Sequence, residues 1–188
     1  MKKKIVGIIV LLLASLSLQA NSDKEIKMEA KQAIMKLGKT LKGEVVKHMK
    51  TQGAQSTAYF CYKNATKLTK KINSTYPKGI SVKRISLKTR NKDNFPTSKD
   101  EIEMLKKLEQ KVKNKEKLPK LIVQKISSNH YKVYKPILVG KKCLVCHGDK
   151  KHRNKEAYKT IKEKYPNDKA IGYKVGDFRG AFVADIIK

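Results

Sequence analysis

The chain has 188 residues, of which 45 are Lys or Arg and 16 are Asp or Glu, so its formal net charge is +29. This length suits one domain, and three cysteines are too few for a disulfide scaffold. The apolar content of 39% and its clear periodicity exclude collagen-like and polytopic membrane proteins. Only four of the basic residues are arginine, the usual residue for bidentate contacts to phosphate and guanine. The charge therefore favours a lysine-rich, solvated surface over a nucleic-acid interface.

The first 20 residues have the pattern of a secretory signal peptide. Lys2–Lys4 precede an apolar stretch over residues 5–18, and the small residue Ala20 suits the position before a cleavage site. The apolar stretch is shorter than the ~20 residues of a comfortable membrane span. We predict cleavage after Ala20 and export to the periplasm, where nucleic acid is not an expected partner. An uncleaved anchor is the alternative, and membrane contact is expected only through that segment or through surface charge.

The mature chain is predicted to begin with a helical hairpin. Apolar residues recur at spacings of three and four from Asp23 to about Met49, and again from about Gln55 to Thr75. Gly53 lies between the two patterns and is the expected break.

The rest of the chain is predicted to be mainly β-structure with two further helices. Alternating apolar residues indicate a strand over residues 80–87, and Ser98 and Glu101 have the spacing of a capping box that opens a helix. The remaining predicted elements are strands over 121–126 and 131–139, a helix over 157–165, and a final hairpin with strands over 171–175 and 180–187. Helices followed by antiparallel strands favour a single α+β domain over residues 21–188.

One short motif carries recognisable chemistry. Cys143, Cys146 and His147 form a Cys-x-x-Cys-His sequence, the attachment signature of c-type haem. Two thiols at this spacing can add to the two vinyl groups of one porphyrin, and the histidine that follows can direct a ring nitrogen at the iron. Covalent attachment is made outside the cytoplasm in bacteria, in agreement with the export signal. The motif therefore predicts one covalently attached haem c, with His147 as the proximal iron ligand.

Other uses of the two cysteines fit the sequence less well. A disulfide oxidoreductase usually places the pair at a helix N-terminus in a thioredoxin-like βαβ unit, and a zinc site needs a second pair of ligands. The sequence has neither pattern. A structural disulfide between Cys143 and Cys146 is the remaining alternative.

The second axial ligand of the iron is less determined. Cys61 lies on the apolar stripe of the second predicted helix beside the small residues Ala58 and Ala65, although a buried cysteine is ordinarily a small core residue. The other candidates are His48, His130, His152, Met28, Met35, Met49 and Met104.

Four separated stretches, over residues 59–61, 84–96, 143–148 and 165–181, resemble a known family. It is the family of c-type haem domains with a PAS-like fold, found alone or as the extracytoplasmic sensory part of bacterial signalling proteins. The resemblance implies an N-terminal helical hairpin packed on a PAS-like antiparallel sheet, and iron held between His147 and a distal Cys61. Lys92 departs from the family, which commonly has proline there. The chain ends soon after the last predicted strand, so we expect no attached kinase or chemoreceptor module.

Two functions follow from this ligand set. A thiolate ligand favours Fe(III), and protein ligands on both sides of the iron argue against an enzyme. We expect a periplasmic haem sensor of redox state or of a gas that signals through the Fe–Cys61 bond to a signalling partner. The alternative is a small periplasmic electron-transfer cytochrome whose lysines dock an acidic redox partner. Arg84, Arg90 and Arg179 are candidate contacts to the haem propionates, with a surface or structural role as an equal alternative.

Overall fold

The computed structural model describes the backbone of residues 3–188 and the side chains of residues 23–188. The signal peptide predicted over residues 1–20 lies outside the residues whose side chains are described, so its presence and cleavage stay predictions. Within the described part of the chain, no helix combines the length and the apolar character that a membrane crossing requires.

The described residues form an α+β fold with one antiparallel sheet, which confirms the predicted fold class. The sheet has the strand order β1-β4-β3-β2. The helices are α1 (Lys3–Asn73), α2 (Lys99–Lys113), α3 (Leu144–His147) and α4 (Lys155–Lys164), and the strands are β1 (Ile80–Ile85), β2 (Ile122–Lys125), β3 (His130–Leu138) and β4 (Phe178–Ile187).

Helix α1 is broken at Gly53 into two antiparallel arms. Gly53 has φ 77° and ψ −177°, a conformation that is essentially open to glycine alone. Across the two arms, the rings of His48 and Phe60 stack with centroids 3.8 Å apart, and Lys36 Nζ donates to Thr75 Oγ1. The predicted helical hairpin and its break are therefore confirmed. We call residues 54–73 the second arm.

The sheet is packed on both faces, because alternate residues of each strand point to opposite sides. One face packs on the α1 hairpin and carries Val82, Val133 and Ile186 against Ile34 and Leu37. The other face packs on α2 and carries Ile85, Tyr134 and Val183 against Leu105 and Leu108. The fold thus has three layers, with the sheet in the middle.

Helix α2 begins after Ser98 as predicted, but the predicted capping box is wrong. Ser98 Oγ accepts a hydrogen bond from Lys132 Nζ and does not cap the helix. Glu101, with 1% of its side chain exposed, accepts from the Thr97 backbone N–H and pairs with Lys83 and Lys132. Glu101 therefore pairs with two lysines of the sheet and does not cap α2.

The predicted final hairpin is wrong in its first strand. Residues 171–175 have no strand conformation, because the neighbours of β4 are β1 and β3. The backbone N–H of Tyr173 donates instead to His147 O at 3.0 Å, and that of Gly172 donates to Gly148 O at 2.9 Å. This segment is therefore bound to the Cys-x-x-Cys-His motif.

Gly180 provides a test of how tightly β4 approaches β1. Its φ is 140°, and a Cβ added there would lie 2.2 Å from Ile85 O. We expect Gly180→Ala to lower the free energy of unfolding by about 2–5 kcal/mol, because backbone strain and overpacking add. Urea unfolding followed by far-ultraviolet circular dichroism measures this loss.

The matched control is Gly53→Ala. Gly53 also has a positive φ, but a Cβ there would meet no atom within 4 Å. Only the backbone strain of about 1–3 kcal/mol is expected. Equal losses in the two variants would contradict the close approach of β4 to β1.

Candidate functional site

The Cys-x-x-Cys-His motif lies on a short helical segment between β3 and α4. Cys143 ends a 3-10 turn, and Cys146 and His147 lie in α3. The turn that follows is tight, since a Cβ on Gly148 would lie 2.8 Å from Leu144 O. Cys143 is exposed and Cys146 is half-buried, and both are free thiols, as is Cys61. The structural disulfide considered from the sequence does not form in this structure.

The ring of His147 is held in one orientation by a hydrogen bond to the backbone of Ala170. His147 Nδ1 lies 2.7 Å from Ala170 O. Because a carbonyl oxygen only accepts, Nδ1 carries the proton and Nε2 keeps its lone pair for a metal. Burial, followed by the positive charges of Arg90 and Arg179, lowers the pKa of His147 well below its ordinary value. The imidazole is therefore neutral, which is the form that binds a metal.

Arg90 joins the motif to the loop that carries Ala170. Its Nε donates to Asp168 Oδ2 at 3.1 Å, and its Nη2 donates to Cys146 O at 2.7 Å and to Ala170 O at 3.5 Å. The Asp168 side chain is 1% exposed and also accepts from the Ala170 backbone N–H. These bonds are those of a structural role. The predicted contact of Arg90 with a haem propionate stays a prediction.

The second arm of α1 places Cys61 beside the motif. Ala58, three residues before Cys61, packs in a cluster that includes Cys146. Ala65, four residues after Cys61, packs against the main core instead. Cys61 is half-buried and lies where the arm passes from one cluster to the other. Ala58 itself is buried against the motif and α4.

The surroundings of the Cys61 thiol act on it in opposite directions. Burial raises the pKa of the Cys61 thiol above its ordinary value, and the charges of Arg84 and Arg90 partly offset this. Two cations therefore act on the Cys61 thiol, but burial outweighs them and the pKa stays raised.

Arg84 lies on the face of the sheet that packs on α1, which also carries Cys61. Arg179 lies near the Tyr173 ring beside the motif. Arg84 is two residues from Val82, so its side chain points to the α1 face of β1. Its guanidinium forms no hydrogen bond or ion pair with the described residues. Arg179 Nη1 donates to Ser86 Oγ at 2.8 Å and to Lys88 O at 3.3 Å. Among the described side chains, no carboxylate pairs with either arginine.

The other iron ligands that the sequence left open lie elsewhere or have partners. Met104 packs on the α2 face of the sheet, and Met28 is exposed. The remaining histidines bond to side chains: His130 to Asp185, His152 to Asp149 and His48 to Gln52. None of these five residues belongs to the cluster that contains Cys146.

Three residues that the sequence analysis did not single out belong to the site. Asp168 and Ala170 hold Arg90 and His147, and the ring of Tyr173 lies edge-on to that of His147 with centroids 6.4 Å apart. All three fall in the stretch over residues 165–181 that carried the family resemblance. Ala170 acts through its carbonyl, so its residue type gives no signal of the role.

The ion pair between Asp168 and Arg90 is expected to stabilise the fold. Asp168→Asn removes one charge of a buried pair, so we expect the free energy of unfolding to fall by about 3 kcal/mol. The control is Asp149→Asn at the exposed pair with His152, where little change is expected. Denaturant unfolding compares the two variants, and an equally small effect in both would remove Asp168 from the supporting structure.

Comparison with known proteins identifies the family of this chain. The model of the Tll0287-like family matches residues 16–186. The crystal structure of the cyanobacterial heme-protein Tll0287 superposes with a TM-score of 0.64 and 25% identity, over 88% of this chain and 96% of that chain. No curated protein gives a significant match. The resemblance drawn from the sequence is thereby confirmed: the chain belongs to the Tll0287-like family.

Proposed function

We propose that this chain is a periplasmic c-type haem protein that senses redox state or a gas through a change at its distal iron ligand. The observation that carries the proposal is the orientation of His147. Its Nδ1–H is bonded to Ala170 O, so its neutral Nε2 is available beside the free thiols of the same motif. The similarity to a protein described as a cyanobacterial heme-protein supports the same cofactor.

The residues present fit a covalently attached haem. Cys143 and Cys146 would hold the porphyrin through thioether bonds, His147 Nε2 would bind the iron, and Cys61 would be the distal ligand. Arg84 lies near the like-charged Arg179, so an anionic group between them would relieve their repulsion. A haem bound here would supply one-electron redox chemistry, and a thiolate ligand would favour its Fe(III) state.

The two axial ligands are held with unequal strength. His147 is fixed through Ala170, which Arg90 and Asp168 hold in turn. Cys61 Sγ makes no hydrogen bond with the described residues. Cys61 is therefore the ligand that we expect to change when iron is reduced or a gas binds.

The second arm of α1 offers a route for the signal. Its far end is pinned to the sheet, since Asn73 Nδ2 donates to Val82 O and Asn73 Oδ1 accepts from the Val82 N–H. Its near end follows the break at Gly53. A displacement at Cys61 is therefore expected to move the Gly53 end, where the two arms meet.

The second candidate function is an electron carrier. The motif edge at Cys143 is exposed and follows the exposed residues Lys141 and Lys142. Such a surface suits transient docking to an acidic redox partner. A carrier keeps the same two iron ligands in both oxidation states, whereas the sensor does not.

Covalent attachment is tested on the full chain matured in a periplasm with haem c assembly. We expect the wild-type protein to carry haem that survives denaturing electrophoresis, and the double variant Cys143→Ser, Cys146→Ser to lose it. Cys61→Ser is the matched cysteine control and should keep the covalent haem. Haem stain with a pyridine haemochrome assay gives the result, and a wild-type band without haem would overturn the proposed cofactor.

The distal ligand is tested by absorption and electron paramagnetic resonance spectra. We expect a low-spin thiolate signature in the oxidised wild-type protein, its loss in Cys61→Ala, and its retention in the control His48→Gln on the opposite arm. Reduction of the wild type should change the ligand set and allow CO to bind. An unchanged spectrum in Cys61→Ala would make Cys61 a core residue, and identical ligands in both oxidation states without CO binding would favour the carrier.

A further inference from the structure

We infer that Arg84 and Arg179 together form a cradle for one carboxylate of the cofactor, a haem propionate, while Arg90 serves only to position the motif. This inference rests on the proposed haem binding and assigns separate roles to the three arginines.

The end of β1 brings the two side chains of the cradle together. Ile85, next to Arg84, pairs with Ala181 across the β1–β4 ladder. Ser86 Oγ donates to Arg179 O at 2.8 Å and accepts from Arg179 Nη1 at 2.8 Å. Both the backbone and the side chain of Arg179 are thus bonded to Ser86, two residues after Arg84.

The cradle lies on the side of the site where the metal-binding atoms are. The Arg179 guanidinium carbon is 5.5 Å from the centroid of the Tyr173 ring, and that ring is in contact with His147. The charge of Arg84 acts on the thiol of Cys61. Arg179 therefore lies near His147 through the Tyr173 ring, and Arg84 lies near Cys61.

An anion is the missing partner in this charge arrangement. Burial lowers the pKa of Arg84, and the neighbouring Arg179 lowers it further. The Asp168 carboxylate, whose charge acts on Arg179, is bonded to Arg90. Two half-buried cations side by side repel each other, and a carboxylate can accept hydrogen bonds from both guanidiniums at once.

Arg90 differs from the cradle residues because its donors are in use. Its Nε and Nη2 bond to Asp168, Cys146 and Ala170 within the protein. Arg153 provides a contrast of another kind, since its guanidinium stacks on the Tyr158 ring at 3.8 Å and has two buried nitrogens without a hydrogen-bond partner. Arg153 therefore serves as a matched control for the loss of one positive charge near the motif.

The experiment measures the pH dependence of the reduction potential of the haem-loaded full chain, together with the propionate bending band in resonance Raman spectra. In Arg84→Gln we expect the pH at which a propionate titrates to rise by about 1, with a shift of the Raman band. Arg84→Lys should restore part of the shift. Arg153→Gln should match the wild type in both measurements.

Several results would overturn the cradle. Equal shifts in Arg84→Gln and Arg153→Gln would show a general charge effect, and no shift in Arg84→Gln would remove Arg84 from the propionate. If Arg84→Gln does not fold, Arg84→Lys and Arg179→Gln carry the same test.

Added phosphate at constant ionic strength should leave the wild type unchanged, and a phosphate-dependent shift lost in Arg84→Lys would show a free-anion site instead. Absence of covalent haem in the wild type, seen first, would overturn the proposed function rather than the cradle alone.

Discussion

The hydrogen bond from His147 Nδ1 to the carbonyl of Ala170 is the interaction on which the site depends. It sets the tautomer of the imidazole and directs Nε2 away from the loop. Ala170 is in turn fixed by Asp168 and Arg90, and Arg90 also holds the carbonyl of Cys146. His147 and Cys146 are thus held by one buried ion pair.

The rest of the fold supplies the two walls against which this loop is held. The sheet presents Arg84 and Arg179 at the junction of β1 and β4, where Gly180 allows the close approach to Ile85. The second arm of α1 presents Cys61 through its packing on the cluster that contains Cys146. Arg84 and Cys61 therefore approach the motif from different layers of the fold.

The sequence predicted most of the fold because its signals are local. The Gly53 break and the helical periodicities on either side of it depend on neighbouring residues, and so does the motif. The errors have a common physical origin. Residues 171–175 alternate as a strand would, but the backbone N–H of Tyr173 donates to His147 O. Ser98 and Glu101 have capping spacing, but their side chains bond to Lys132 and Lys83 of the sheet. The role of Ala170 arises from contacts distant in sequence, so no local pattern could reveal it.

The central claim is that the motif binds one haem covalently, with His147 as its iron ligand. The most direct measurement is the intact mass of the full chain after maturation in the periplasm, followed by peptide mapping of the motif. We expect the mass of the exported chain plus one haem, with Cys143 and Cys146 both consumed in thioether bonds. A chain of unmodified mass, with both thiols free to react with an alkylating reagent, would contradict it.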